Sequence, residues 1–284
     1  MWPMAPELVP LVARLNKRED QHKYHHGHAV ILSGGPGAGG AARLAARAAL
    51  RVGAGLVTLG CPLPALAENA ARMDAVMLRP MHDGRTLSRM LEDRRYNALC
   101  LGPGMGFERA RDLVPVALGS GRATVLDADA LTAYASDRRA LYSLCTPQTV
   151  LTPHAGEFAR LFPELAEMAQ RDRGSAARAA ARKSGAVVLL KGAVTVIASP
   201  DGPVARSDAT GPRAVPWLAT AGAGDVLAGV IAGLLARGFS TFDAAHLGSF
   251  LHIEAARAFG PGLIAEDLPD TLPQVLRDLL SSGQ

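Results

Sequence analysis

Residues 28–61, HAVILSGGPGAGGAARLAARAALRVGAGLVTLGC, decide the fold. An apolar strand over 29–34 runs into the glycine turn GPGAGG at 35–40, an alanine-rich helix follows over 41–52, and a second apolar strand spans 55–61. Parallel strands need a long crossover, usually a helix, so this is a βαβ unit. The same alternation recurs at ALCLGPGMG (98–106), ATVLDADAL (123–131), TVLTPHAGE (149–157) and AVVLLKGAVTVIASPDG (186–202), each strand stopping at Gly, Pro, Asp or His. Open α/β sheets bind ligands beyond the carboxyl ends of their strands, so these ends predict one functional rim. The stretch 191–202 followed by PVARSDA (203–209) reads as a hairpin closed around Asp201-Gly202, an antiparallel edge on a mostly parallel sheet. No Ser/Gly-rich linker or fixed-period repeat interrupts the pattern. One domain over 1–284 is expected, with 1–26 as an irregular or short helical leader and 270–284 as a helical tail.

The composition agrees. Hydrophobic residues make up 49% of the 284, which excludes disorder, while only 5% are aromatic, so the core must be built from Ala, Leu and Val. Cys61, Cys100 and Cys145 contain no C-x-x-C and read as buried free thiols in a reducing compartment. The first residues lack a signal-peptide pattern, and the apolar run from Val226 to Ala236 is shorter than the roughly 20 residues a bilayer needs. A soluble, cytoplasmic protein is expected, without a membrane partner. The net charge of +4 invites a nucleic-acid reading. However, the arginines are spread along helices, as in Arg43, Arg47 and Arg51 at i, i+4 spacing, and read as a solvated face.

Several motifs carry chemistry. GPGAGG satisfies G-x-G-x-x-G between strand and helix, but the acidic residue that a dinucleotide fingerprint wants about 20 positions on is absent from Leu59-Gly60-Cys61-Pro62. A turn bringing amides to another ligand, or helix packing with no ligand, remain as readings. No Walker-type P-loop is present. A different phosphate cradle is available at Thr220-Ala221-Gly222-Ala223-Gly224-Asp225, which opens an apolar helix: its amides converge on an anion and the helix end adds partial positive charge. Asp225 can act there as N-cap or as general base. Gly229 and Gly233, a G-x-x-x-G inside that helix, predict close packing on the sheet. Asp127 and Asp129 alternate at the end of a strand and should face one side, as a pair for Mg²⁺ or substrate hydroxyls or with one merely capping a helix. His154 and Glu157 sit in a turn after another strand, as a ligand contact or a structural turn. His22, His25, His26 and His28 form no recognisable zinc spacing.

Taken in order, the segments 22–62, 97–106, 125–131, 151–161, 187–202 and 218–238, about three quarters of the chain, resemble the ADP-dependent NAD(P)H-hydrate dehydratases of the ribokinase-like superfamily. The resemblance implies a three-layer α/β/α fold and repair of hydrated nicotinamide cofactors, in which (6S)-NADHX or (6S)-NADPHX is dehydrated while ADP, or ATP in its place, is consumed with Mg²⁺. By matching motif, Asp225 would be the catalytic base and the amides of Ala223, Gly224 and Asp225 the anion hole. Lys191, Gly192, Ala193, Val194, Thr195 and Gly224 would contact the nucleotide, and Ala41, Gly104, His154 and Asp225 the hydrated dinucleotide. Glu157 and Asp127 would serve a metal and water network. The resemblance also implies a homo-oligomer, a tetramer by the family's pattern, and a separate epimerase, since no room is expected here for the fused epimerase domain. The chain departs from the family at Ala221 and Ala223, where a hydroxyl residue is usual, and at Ala155, where Pro is usual. Two other readings share the motifs: a ribokinase-like kinase of a hydroxymethyl heterocycle, and a nucleotide sensor without catalysis.

Overall fold

The computed structural model describes residues 4–281; the extremes of the expected leader and tail, 1–3 and 282–284, lie outside the described residues. The strands are β1 (His28–Leu32), β2 (Leu56–Cys61), β3 (Met77–Pro80), β4 (Ala98–Leu101), β5 (Ala123–Leu126), β6 (Thr149–Leu151), β7 (Val187–Leu190), β8 (Val194–Ala198) and β9 (Val204–Asp208). The helices are α1 (Val9–Ala13), α2 (Gly40–Arg51), α3 (Leu66–Ala70), α4 (Gly84–Met90), α5 (Phe107–Gly119), α6 (Ala128–Thr132) and α7 (Arg138–Leu144). They continue with α8 (Ala155–Leu161), α9 (Ala166–Arg171), α10 (Arg173–Ser184), α11 (Ala223–Ala236), α12 (Thr241–Phe259) and α13 (Asp267–Ser281).

All nine strands form one sheet in the order β3-β2-β1-β4-β5-β6-β7-β8-β9. Pairing is parallel from β3 through β7 and antiparallel at β7–β8 and β8–β9, so the expected antiparallel edge is present. The stretch 186–202 is two strands, not one, folded back on each other at residues 191–193. Because β8 alone runs opposite to the rest, that turn lies on the same rim as the carboxyl ends of β1, β4, β5 and β6. The edge strand β3, which the apolar pattern did not reveal, pairs with β2.

Both faces of the sheet are covered, which is why its central strands read as continuous apolar runs. Ala29 and Ile31 of β1 point into a layer with α2, α11, α12 and α13, whereas Val30 and Leu32 point into the layer of α4, α5, α6, α8 and α10. The leader and tail are docked on the first layer through Leu8, Val12 and Leu15 and through Leu268, Leu272, Val275 and Leu279.

The G-x-x-x-G of α11 serves a different contact from the one expected. It meets α2, not the sheet: a Cβ on Gly229 would lie 2.1 Å from the Ala45 carbonyl oxygen, and one on Gly233 would lie 2.7 Å from that of Ala49. The alanine-rich face of α2 and the glycines of α11 thus let two helix backbones touch, which aliphatic cores with few aromatics allow. Gly229→Ala is expected to cost about 1–3 kcal/mol through overpacking. A urea denaturation midpoint unchanged from the parent would contradict this packing.

The arginine face is solvated at Arg47 and Arg51, whose side chains are 45% and 46% exposed, and it is also paired. Arg47 and Arg51 both reach Asp270 of α13, at 2.7 and 3.3 Å, and Arg43 pairs with Glu68 at 3.0 Å. The histidine cluster is absorbed locally: His22 and His25 stack and cap one turn, and His28 Nε2 lies 2.8 Å from Thr58 Oγ1. Among the described residues no group of three His, Cys, Asp or Glu side chains could hold a metal ion, and no helix is long and apolar enough to cross a membrane.

Candidate active site

The strand order changes sense between the parallel neighbours β1 and β4, and the turns beyond these two strands interlock. A Cβ on Gly34 would fall 1.9 Å from the Gly104 carbonyl oxygen. Gly104 itself has φ +61 and a virtual Cβ 3.5 Å from the Ala41 Cβ. Ala41, in the first turn of α2, and Gly104 therefore adjoin at the topological switch point, where ligands of doubly wound sheets bind. The GPGAGG turn is held from outside by Glu68, whose Oε2 accepts the Gly37 N–H at 2.7 Å.

Beside this crevice the ends of β5, β6 and β7 bring together a charged cluster. Lys191 Nζ donates to Asp127 Oδ1 at 2.7 Å, and the Thr152 hydroxyl donates to the same oxygen at 2.9 Å. The Asp127 side chain is only 2% exposed. Burial opposes the charge of Lys191, but Asp127 and Glu157 outweigh it and hold the ammonium above its ordinary value. Glu157 is pushed up by burial, against the pull of Lys191.

The expected Asp127–Asp129 pair is not formed on one side. β5 stops at Leu126, Ala128 adopts φ 45, and the chain turns at once into α6, so the strand alternation ends before it reaches Asp129. Asp127 faces Lys191 while Asp129 accepts the Gly106 N–H at 2.9 Å. His154 takes the structural one of its two readings. Its Nδ1 accepts from the Gly156 N–H and, more weakly, from that of Glu157, while Glu157 Oε2 accepts the His154 N–H, a reciprocal cap on α8. The ring nevertheless stays half exposed on the rim, next to Lys191, whose N–H bonds the Pro153 carbonyl. Ala155 occupies the first position of α8, where Pro is tolerated because no helical partner for its N–H is required, so Ala serves equally.

Helix α11 enters from the other side. Its N-cap is Gly222, at φ 90, rather than Asp225, which sits in the first turn. The Ala223 N–H is already directed at the Thr220 carbonyl at 3.4 Å. Among the described residues the amides of Gly224 and Asp225 have no protein acceptor, so two of the three amides expected to form an anion hole are free donors. Gly224 packs against the charged cluster: a Cβ there would be 3.3 Å from Lys191 Nζ and 3.8 Å from Asp127 Oδ2. Burial and the neighbouring Asp127 raise the Asp225 carboxyl to about 7, Lys191 acting against them. A carboxylate poised at neutral pH beside two free amides can take a proton next to a bound anion.

A cavity of about 640 Å³ opens from this point. Lys191, Gly192, Ala193 and Thr195 line one side, Ala223 and Gly224 the end, and Ser249, His252 and Ile253 of α12 the back. The segment 209–219 closes it, tied down by Arg213 to Glu254 at 2.7 Å and by Arg257 to the Pro212 carbonyl at 3.1 Å. Clefts of about 810 Å³ along α2 and about 820 Å³ beneath the sheet are larger, but neither contains residues of the charged cluster. Val194 is the one member of the 191–195 set that does not line the cavity; its side chain packs in the opposite layer. The Thr195 hydroxyl donates to the Gly192 carbonyl, which closes the turn.

Some contributors were not visible in the sequence. Arg173 of α10 clamps the 191–193 turn by donating to the Leu190, Lys191 and Val194 carbonyls. His252 donates from below to the Ala223 carbonyl, with Nε2 and oxygen 2.9 Å apart. A lone Arg in one helix and a lone His in an apolar run give no local signal, since both act on backbone carbonyls far away in sequence.

The profile of a family described as NAD(P)H-hydrate dehydratase matches residues 29–276. A protein of Moorella thermoacetica called bifunctional NAD(P)H-hydrate repair enzyme Nnr is 43% identical over 283 residues, covering 94% of this chain and 52% of the relative. One of the same name from Gloeobacter violaceus is 38% identical, with 81% and 45% covered. The chain thus spans about half the length of the curated relatives it matches. Among solved structures, the ADP/ATP-dependent NAD(P)H-hydrate dehydratase of Bacillus subtilis, co-crystallised with ATP and Mg²⁺, superposes with a TM-score of 0.77 at 26% identity, covering 94% of this chain and 96% of that one. A hydroxyethylthiazole kinase of Pyrococcus horikoshii shares the fold, with a TM-score of 0.64 at 16% identity and coverage of 98% and 97%.

Proposed function

The chain belongs to the NAD(P)H-hydrate dehydratase family, and from that premise we propose that it dehydrates (6S)-NADHX or (6S)-NADPHX to NADH or NADPH while ADP is split into AMP and phosphate. The observation that carries the reading is Asp225, a carboxyl raised to about 7 in the first turn of α11, next to free amides and Lys191. Its carboxylate would take the proton of the ring hydroxyl, whose oxygen then attacks the terminal phosphorus of ADP as the bond to AMP breaks. Expulsion of phosphate from the ring and loss of a ring proton restore the double bond. The Gly224 and Asp225 amides suit the charge that develops on the transferred group, and such preorganised donors supply much of the catalysis in phosphoryl transfer.

The cavity behind Gly224 would hold the adenosine moiety, with Lys191 to Thr195 along its side. Val194 would contribute there through its backbone alone. The hydrated ring would lie in the crevice of Ala41, Gly104 and His154. ADP is taken as the phosphoryl donor; ATP is named beside it for the Bacillus subtilis protein.

Mg²⁺ fits the donor set only as an ion carried by the nucleotide. Asp127 is committed to Lys191 and Thr152, and Glu157 to the cap of His154. Mg²⁺ keeps several waters and binds phosphates with one or two carboxylates, so Glu157 and Asp127 would hold it through such a shell, where it would neutralise phosphate charge. Within the same reading one domain over 1–284 works in the cytoplasm as a homo-oligomer, and an NAD(P)HX epimerase supplies the reactive epimer.

Incubating the protein with (6S)-NADHX, Mg²⁺ and ADP tests the proposal. Recovery of the reduced-nicotinamide absorbance that requires ADP is expected. No recovery, with a stable phosphorylated alcohol formed from a different acceptor, would establish a kinase; nucleotide binding without any turnover would establish a sensor.

A further inference from the structure

The peptide between Ala223 and Gly224 is the first of α11, so helix geometry constrains it on one side, whereas on the other it follows Gly222 at φ 90, a residue that adds little constraint. A side chain adds a second hold at this end of the helix. His252, on the buried face of α12, places Nε2 2.9 Å from the Ala223 carbonyl oxygen. That oxygen is only an acceptor, so Nε2 must carry the proton and Nδ1 is left as the unprotonated nitrogen. Burial lowers the imidazole to about 4, so it stays neutral and keeps this tautomer across the physiological range.

A trans peptide is rigid and planar, with its C=O and N–H pointing in opposite directions. Anchoring the Ala223 carbonyl therefore also sets the direction of the Gly224 N–H, one of the two free donors. A hydrogen bond at the oxygen further polarises the unit and strengthens the N–H as a donor. We infer that His252 is a positioning residue for the anion hole, aiming the Gly224 amide at the terminal phosphate by holding the other end of the same peptide. The inference rests on the phosphate placement proposed above.

Because His252 also lines the adenosine cavity, the test must separate loss of aim from loss of pocket shape. Binding of ADP and of AMP to the whole protein is measured by calorimetry for the parent, His252→Leu and His252→Gln. AMP occupies the cavity without a terminal phosphate, and the Gln amide restores a donor at about the position of Nε2. The parent is expected to prefer ADP over AMP. His252→Leu should weaken ADP about tenfold, the scale of one well-placed hydrogen bond, and AMP less than twofold. His252→Gln should recover most of the loss. With (6S)-NADHX as substrate, kcat should fall in the Leu variant by a larger factor than the KM for ADP rises. If the Leu variant does not fold, His252→Asn, whose amide is too short to reach the carbonyl, takes its place.

Equal weakening of ADP and AMP, or a Gln variant no better than Leu, would overturn the positioning role while leaving the phosphate site standing. A parent protein with no preference for ADP over AMP would remove the phosphate placement itself, and this inference with it.

Discussion

Asp225→Asn is expected to lower kcat by 10²–10⁴-fold, the range typical of a lost general base, while ADP affinity changes by no more than a few fold. The parent should show kcat/KM rising with pH through about 7 and levelling above it, because the carboxyl must be ionised to accept the hydroxyl proton. The Asn variant should show a residual rate without that rise. The same substitution should stabilise the protein at alkaline pH. A carboxyl whose folded value lies above its unfolded one contributes stability that is complete below about 4 and lost as pH climbs to about 7. Asparagine carries no such loss, so its advantage in thermal melts should grow from pH 4 to pH 7 and then stay constant at a few kcal/mol at most. An Asn variant that is inactive but no more stable at pH 8 would mean that Asp225 is not strained in the folded state.

Lys191→Met is expected to produce the largest stability loss. It removes the cation from a carboxylate whose side chain is 2% exposed, which costs about 3–5 kcal/mol when a buried partner is left uncompensated. It should also remove nucleotide binding, since Lys191 lines the cavity and lies against Gly224. Combining it with Asp127→Leu separates the two effects. With both charges gone and an apolar pair in their place, most of the stability should return, while turnover stays absent. The Thr152 hydroxyl retains the Leu126 carbonyl as acceptor, at 3.2 Å, so the double variant strands no donor there. Denaturation midpoints of the single and double variants decide this. A Lys191→Met protein as stable as the parent would show that Asp127 is not held by the pair.

The succession of strands along the chain and the rim at their carboxyl ends are legible in the sequence because glycine marks them, whereas their order in the sheet comes from the structure. GPGAGG, GPGMG, KGA and AGAGD each fall where backbones approach one another or an anion can reach a free amide. The short strand β3 escaped because three of its four residues are exposed, leaving no apolar run to read. Of the two readings of Asp127 and Asp129, the facing pair gives way because alternation holds only while the strand continues: β5 ends one residue before Asp127, which stands at the N-cap position of α6. The glycines of α11 were correctly tied to close packing but given the wrong partner: nothing in a helix sequence says whether its small-residue stripe meets a sheet or another helix. Least legible was the contribution of α12. His252 and Glu254 lie in the buried stretch of α12, and their partners, Ala223 and Arg213, are 29 and 41 residues away. Glycine signals local geometry, whereas a side chain that supports a distant backbone group becomes visible only when the chain has folded.

The two alanines near Asp225 leave its free amide donors in place. Ala223 is buried and Ala221 exposed, yet the free donors are backbone amides that neither side chain supplies. The chemistry proposed depends on the peptide path of α11 together with the side chains of Asp225 and Lys191.

The central claim, that a phosphoryl group passes from ADP through the hydrated ring, is tested most directly by phosphorus NMR of a complete reaction with (6S)-NADHX, ADP and Mg²⁺. One AMP and one inorganic phosphate are expected for each NADH formed by the parent protein, and about 10²–10⁴-fold less of all three from Asp225→Asn over the same time. NADH appearing with ADP intact, or ADP consumed into a phosphorylated product that persists, would contradict it.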